Sequence, residues 1–433
     1  MKKKLFVLSM DAMVHEDVAY LAQKPNFQKL LGKRAEVNGL ISVYPGSTYP
    51  AHTTLMTGCN PGKHGVYSNF HLRTVSDQVP HWPLHCNNIF AEDLFAAAKR
   101  ADCTTAAVYW PITGRNPNID HVINEYFFYY PGEADRVEEI FADQGADPVA
   151  LEAVKENLAL FPRAVRGQEP TQKLFDHFIM GCTCSLIRKA QPDVLLLHNC
   201  LLDSMRHKHG VFGDHIEKAL DQMDLWLGQV MDAMVETGVY EATDFVILSD
   251  HGQLDVAKTI NLNVLLAKEG FIELAPNGTI YNWQAYGQSN GVSTTVHLID
   301  PTNRILHDRV HRFLQKLRES GKYGIEQVFT KDEVATLYGQ GGPFSFMLEA
   351  EAGACFGGSL TGEAVTVDEK HHGTHGHRPE KGPKPVFLAH GPSFRDQALL
   401  ETANLRDVAP TLAAVLGSEL PDADGRVLTE LLK

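Results

Sequence analysis

Five short apolar runs, residues 4–10, 105–110, 193–198, 244–249 and 385–389, constrain this chain more than any other feature. Each run is nearly continuous rather than alternating. A strand of that kind needs cover on both faces, which suits the interior of a parallel sheet. Helical patterns lie between the runs, and alternation of strand and helix selects an α/β fold: a mostly parallel sheet with helices on both faces. The clearest helix spans residues 214–238, where Ile216, Leu220, Met223, Leu227, Val230, Met231 and Met234 recur at helical spacing. Asp214 is its expected N-cap, with Glu217 three residues on, and Gly238 its expected stop. Further helices are expected at 91–100 and 405–416.

From about residue 254 to 370 the pattern changes. Short helical stretches such as 308–319 mix with Gly-rich polar segments such as 339–343. The expected organisation is therefore a catalytic core of residues 1–258 and 371–433, interrupted by a smaller α+β cap region, 259–370.

Composition then removes several classes. A hydrophobic content of 44% is too high for a disordered chain. Asp and Glu outnumber Lys and Arg 53 to 39, which argues against binding a nucleic-acid polymer. Phosphate substrates stay open, because a metal ion can supply positive charge locally. No apolar run approaches the ~20 residues of a membrane span. The start, Met1-Lys2-Lys3-Lys4 followed by Leu5 to Met10, imitates a signal peptide, but Asp11 interrupts it and no small-residue cleavage site follows. It reads as a first strand, and the expected location is cytoplasmic. The 7 scattered cysteines fit reduced thiols, and Cys182 and Cys184 lack the partner spacing of a zinc ribbon.

Three of the runs lead into aspartate: Asp11, Asp203 and Asp250, the last followed by His251. Ligands of an open α/β sheet bind outside the carboxyl ends of its strands. Carboxylates gathered there repel one another unless cations bind. Singly, each Asp reads as a cap or turn residue; together with histidine they read as metal ligands. Asp203 and His207 are four apart, on one side of a helical turn. Residues 371–377 hold four histidines, and a solvated loop is the bland reading for any one of them. Three Asp and three His, without thiolate, suit two divalent ions of catalytic type, Zn²⁺ or Mn²⁺. The stretch from Tyr44 to Gly58 is crowded with hydroxyls, Gly and Pro. It reads either as a turn before a helix from His52, or as a hydroxyl nucleophile at a helix N-terminus, where free N–H groups favour an anion.

The order Asp11, Ser47-Thr48-Tyr-Pro-Ala-His52, Gly65-x-x-x-Asn69, Trp110-Pro111, Asp203-x-x-x-His207, Ser249-Asp250-His251-Gly252 and Gly373-Thr-His375-Gly376 resembles the alkaline phosphatase superfamily. The branch it looks like is that of the type I phosphodiesterases and nucleotide pyrophosphatases. The resemblance runs from residue 5 to the Asp407-to-Thr411 stretch and is thinnest across 115–190 and 260–365. It implies two metal ions, most often zinc. Asp203, His207 and His375 would hold one; Asp11, Thr48, Asp250 and His251 would hold the other. Thr48 would be the nucleophile, forming a phosphothreonine intermediate, and Asn69 would donate to a non-bridging phosphoryl oxygen. The implied substrate is a small phosphate diester or pyrophosphate. A phosphonate hydrolase or monoesterase would use the same set, and a metal-binding protein without turnover is the third reading. A sulfatase is disfavoured, since no Cys-x-Pro-x-Arg occurs. Two positions depart from the pattern: Ala12 stands where Gly is frequent, and His377 where an aromatic residue is frequent. Ala12 is expected to be harmless.

Overall fold

A computed structural model describes residues 3–74, 81–130, 132–162, 169–367 and 371–433. Met1 and Lys2 of the N-terminal run, and the end of the expected cap region at 368–370, lie outside the described residues. The main sheet has eight strands. From edge to edge they are Leu399–Asn404, Ala35–Ile41, Phe387–His390, Thr243–Leu248, Lys4–Met10, Val194–Asn199, Thr105–Val108 and His121–Ile123. Phe387–His390 is antiparallel to both neighbours, and every other pairing is parallel.

All five apolar runs become strands of this sheet, and their burial explains their continuity. In Lys4–Met10, Phe6, Leu8 and Met10 join one hydrophobic cluster. Leu5 and Val7 join the cluster on the opposite face. The first face is covered by the helices Asp214–Glu236 and Glu169–Ala190. Helices Leu94–Arg100 and Val408–Val415 cover the other.

Local boundaries differ from expectation in instructive ways. Gly213, not Asp214, is the N-cap of Asp214–Glu236, and Asp214 with Glu217 lies in its first turn. The helix expected from 91 begins at Leu94, because Asp93 accepts the Ala96 N–H and caps it. The one expected at 405–416 is a 3₁₀ turn, Leu405–Asp407, followed by Val408–Val415.

After Thr243–Leu248 the chain leaves the main sheet. Ala285–Ser289, Ser293–Leu298, Phe346–Ala350 and Ile325–Thr330 form an antiparallel sheet in that order. Helix Arg304–Glu319 packs there through Leu306, Val310, Leu314 and Leu317, a helical stripe. These elements share a separate hydrophobic cluster, from Ile260 to Phe356. Trp283 and Tyr286 are half-buried against it. Leu254–Ile260 pairs with Gly353–Phe356, Val365–Val367 and Gly373–Thr374. Among the described residues, no helix is long and apolar enough to cross a membrane.

Candidate active site

The carboxyl ends of three adjacent strands build the site. Asp11 follows Lys4–Met10, and Asp250 with His251 follows Thr243–Leu248. Helix Leu201–His209, just after Val194–Asn199, carries Asp203 and His207. The pairing of Gly373–Thr374 with Leu254–Ile260 folds the distant His375 back over the same edge.

Two ligand clusters result. In the first, His251 Nε2 lies 3.4 Å from Asp11 Oδ1 and 3.1 Å from Asp250 Oδ2. Thr48 Oγ1 is 3.3 Å from the same nitrogen. In the second, His207 Nε2 is 3.3 Å and His375 Nε2 is 4.0 Å from Asp203 Oδ1. The His251 and His375 rings, 4.2 Å apart, join the two clusters. Structure thus brings together Asp11, Thr48, Asp203, His207, Asp250, His251 and His375, every expected ligand.

These residues fit divalent cations. Asp11 Oδ1 and Asp250 Oδ2 are buried oxygens without a hydrogen-bond partner. Such groups are costly unless a cation completes them. Burial pushes the Asp11 carboxyl well up, and the charges of Asp250 and Asp203 push it further. Burial alone would also raise Asp250, but the imidazoles of His251 and His52 hold it low. Asp203 behaves likewise, held low against its burial by His207 and His375. His375 is driven well below the usual histidine range, first by burial and then by His251, which leaves the neutral imidazole, the form able to take a cation.

Surrounding groups fix the ligands. Gln253 Nε2 donates to Asp203 Oδ1 at 2.6 Å, and His207 Nδ1 faces the Gly373 carbonyl at 2.8 Å. His52 Nδ1 lies 2.8 Å from the Thr48 carbonyl and 3.3 Å from Asp250 Oδ2. The Thr48 carbonyl only accepts, so Nδ1 carries the proton and ties the His52 ring to the Thr48 backbone. His198 Nε2 is 3.1 Å from Asp11 Oδ2. His198, inside an apolar run, and Gln253 are contributors that sequence patterns did not reveal. His64 packs against Thr54, and burial lowers its pKa to about 3.

Thr48 is the first residue of helix Thr48–Thr57, with Ser47 as N-cap. The helix therefore starts four residues before the His52 of the bland reading, and its N-terminus faces the ligands. Asn69 accepts the Tyr49 N–H through Oδ1 at 2.9 Å. An N–H only donates, so the Asn69 amide nitrogen is left to donate elsewhere. Both Thr48 and Asn69 line a cavity of about 1050 Å³ that also contains Asp11, Asp203, His207 and His375.

The Tyr126-to-Tyr130 run splits by alternation. Phe128 enters the core, whereas Phe127 and Tyr129 face the cavity with Tyr49, Phe70 and Trp82. Trp82 lies 4.4 Å from both Phe70 and Phe127, ring to ring. Thr259, Asn290 and Phe356 also line the cavity. His209 stacks on His215, which leaves the ligand position to His207. His377 is buried and lines no part of the cavity.

Ala12 is not neutral as expected. Its φ is 58°, a conformation that a Cβ disfavours, and its N–H donates to Asp250 Oδ1 at 3.2 Å. That geometry explains why Gly suits the position.

Known proteins place this architecture. A family model described as type I phosphodiesterase / nucleotide pyrophosphatase matches residues 5–378. Mouse ectonucleotide pyrophosphatase/phosphodiesterase family member 1 is 23% identical over 254 residues, 56% of this chain and 23% of that protein. Ectonucleotide pyrophosphatase/phosphodiesterase 1 of Saccharomyces cerevisiae is 23% identical over 244 residues, 52% of this chain and 29% of its own. The matched region thus spans under a third of each of these curated relatives. Murine ectonucleotide pyrophosphatase / phosphodiesterase 5 has a similar fold, with a TM-score of 0.67 at 17% identity and coverage of 100% of both chains. That murine protein has also been solved as an inactive variant, a threonine replaced by alanine, in complex with AMP. On the family match over most of its length, this chain belongs to the type I phosphodiesterase / nucleotide pyrophosphatase family.

Proposed function

We propose that the protein is a two-metal hydrolase of small phosphate diesters or pyrophosphates, acting through covalent phosphorylation of Thr48. The observation that carries this reading is the convergence of Thr48 Oγ1 with two adjoining Asp/His clusters at one sheet edge. Asp11, Asp250 and His251, with Thr48, would hold one ion; Asp203, His207 and His375 would hold the other. Zn²⁺ is the preferred occupant for this oxygen and imidazole set, and Mn²⁺ the alternative. Bound there, divalent ions stabilise charge on the attacking and leaving oxygens and make a nucleophile available at neutral pH.

The chain's own residues do the rest. The helix N-terminus presents Thr48 Oγ1 for in-line attack on phosphorus, and the bond to the leaving oxygen breaks as the Thr48–phosphorus bond forms. Asn69 donates to a non-bridging oxygen, where negative charge gathers. Water then cleaves the Thr48 ester. The aromatic wall of Tyr49, Phe70, Trp82 and Phe127 suits a flat leaving or retained group, such as a nucleobase. AMP in the murine relative supports a nucleotide substrate. The inserted region that begins at residue 259 would act as a cap, since its Asn290 and Phe356 line the same cavity as that wall. A phosphonate hydrolase is the second reading, because the same Thr48 and ligand set would serve it.

A screen of the zinc-loaded protein tests this. Nucleotide diesters and bis-p-nitrophenyl phosphate should turn over faster than p-nitrophenyl phosphate and phosphonoacetate. Preference for phosphonoacetate would select the second reading, and full diester activity after metal removal would end both.

A further inference from the structure

Glu349 lies on Phe346–Ala350, a strand of the inserted region, and is fully buried. A carboxylate away from water is costly unless it is paired. Its partners come from two segments that lead to the active site. Tyr44 Oη donates to Glu349 Oε2 at 3.0 Å. The Arg378 backbone N–H donates to Oε1 at 3.2 Å, and Lys381 Nζ lies 3.2 Å from the same oxygen. Arg378 Nε is 3.8 Å from it. Glu326, on the neighbouring strand Ile325–Thr330, also pairs with Arg378 and Lys381.

Both segments carry a residue of the site close to the anchored position. Tyr44 is four residues before Thr48, and Arg378 is three after His375. Between these anchors the segments bond to each other. Gly376 N–H donates to the Gly46 carbonyl at 2.8 Å, and Gly46 N–H points to the His377 carbonyl at 3.4 Å. Glu349 therefore brackets the contact between the Thr48 loop and the His375 segment. Its strand reaches His375 by a second route. Ala350 N–H donates to the Val292 carbonyl at 2.9 Å, and Val292 N–H donates to the His375 carbonyl at 2.8 Å. Gly376 permits this approach: its φ is 90°, and a Cβ there would fall 1.7 Å from the Asn290 carbonyl oxygen. The Tyr44 ring is seated among residues of the inserted region, in a buried cluster with Phe329, Val334, Phe344 and Met347. Apolar packing sets the depth of that ring, and the directional bond to Glu349 fixes its hydroxyl.

We propose that Glu349 is a positioning residue supplied by the inserted region: through Tyr44 it holds the loop that presents Thr48, and through the Arg378 N–H it holds the segment that presents His375. Its kinetic consequence rests on the hydrolase reading above. Its consequence for zinc rests only on His375 as a ligand.

Two readouts on the full chain test this. Zinc is titrated into metal-free wild type, Glu349→Ala, Glu349→Gln and Tyr44→Phe, and the step that depends on His375 is the one missing from His375→Ala. Glu349→Ala should weaken that step on the order of tenfold, as a change relayed through an intervening contact does. Tyr44→Phe keeps the Arg378 bond and should leave the step unmoved. At saturating zinc, kcat for bis-p-nitrophenyl phosphate should fall about tenfold or more in Glu349→Ala and in Tyr44→Phe, with KM within about twofold of wild type, because a displaced reacting group slows the step after binding. Glu349→Gln can accept the Arg378 N–H through its carbonyl and donate to the Tyr44 oxygen, so it should recover most of both losses. Tyr44→Phe removes one oxygen and keeps the ring, so it tests the Thr48 arm even where Glu349→Ala does not fold. An unmoved zinc step in Glu349→Ala overturns the proposal, as do losses that Glu349→Gln fails to recover. So does full kcat in Tyr44→Phe when wild type hydrolyses the diester. A wild type that binds zinc but hydrolyses no ester defeats the hydrolase reading, and the zinc result alone then decides this one.

Discussion

Gln253→Ala should weaken one metal site and spare the other. Gln253 is fully buried, and its Nε2 donates both to Asp203 Oδ1 at 2.6 Å and to the Asp203 carbonyl at 3.2 Å. The first bond is to a carboxylate, and hydrogen bonds to charged groups are worth about 1.5–3 kcal/mol. It holds the oxygen that faces both His207 and His375, while leaving it a lone pair for a cation. Residues in this supporting position typically change metal affinity by roughly 10–100-fold. The two figures agree, since a tenfold change is about 1.4 kcal/mol. Gln253 makes no hydrogen bond to Asp11, Asp250 or His251. Zinc titration of the metal-free protein against a chromophoric chelator, read as two binding steps, should therefore show one step weakened by that factor and one unmoved. Two unchanged affinities would refute the reasoning, as would equal weakening of both.

Three other predictions follow from single contacts. Ala12→Gly relieves a left-handed residue worth roughly 1–2 kcal/mol but adds backbone entropy to the unfolded chain of about 0.5–1 kcal/mol, so it should stabilise by about 0.5–1 kcal/mol in denaturant melts. Glu349, buried beside Tyr44, Arg378 and Lys381, has its pKa raised by burial to about 6. A raised carboxyl favours the folded state below its unfolded value and loses that contribution as pH rises through 6. Glu349→Gln should thus gain on the order of 1–2 kcal/mol over wild type at pH 8 and nothing at pH 4, measured as unfolding free energy. Trp82→Ala removes the centre of the aromatic wall and should raise KM about tenfold for a nucleotide diester, with little change for a substrate lacking a flat group.

Much of the site was legible because it depends on short-range geometry. Asp203 and His207 fall on one helical turn, and Asp11 and Asp250 follow strands whose apolar continuity is plain. His375 was one histidine among four: spacing alone did not single it out, the Gly373-to-Gly376 resemblance did, and the pairing of Gly373–Thr374 with Leu254–Ile260, more than a hundred residues away in the chain, is what brings it to the site. His198 escaped because a buried polar residue within an apolar run looks like any other strand position. Trp82, Phe70 and Asn290 come from segments without periodicity, and they meet at the cavity only through tertiary packing. Ala12 was misjudged because a frequent glycine reports a backbone angle, which composition and spacing do not encode.

Covalent labelling of Thr48 tests the central claim most directly. Zinc-loaded protein is mixed with excess bis-p-nitrophenyl phosphate, quenched in acid within the first turnover, digested and sequenced by mass spectrometry. The account predicts Thr48 esterified to the phosphoryl group and its retained p-nitrophenyl ester, and no such adduct without metal. Turnover that proceeds with Thr48 unmodified, or that persists in Thr48→Ala with metals bound, would contradict it.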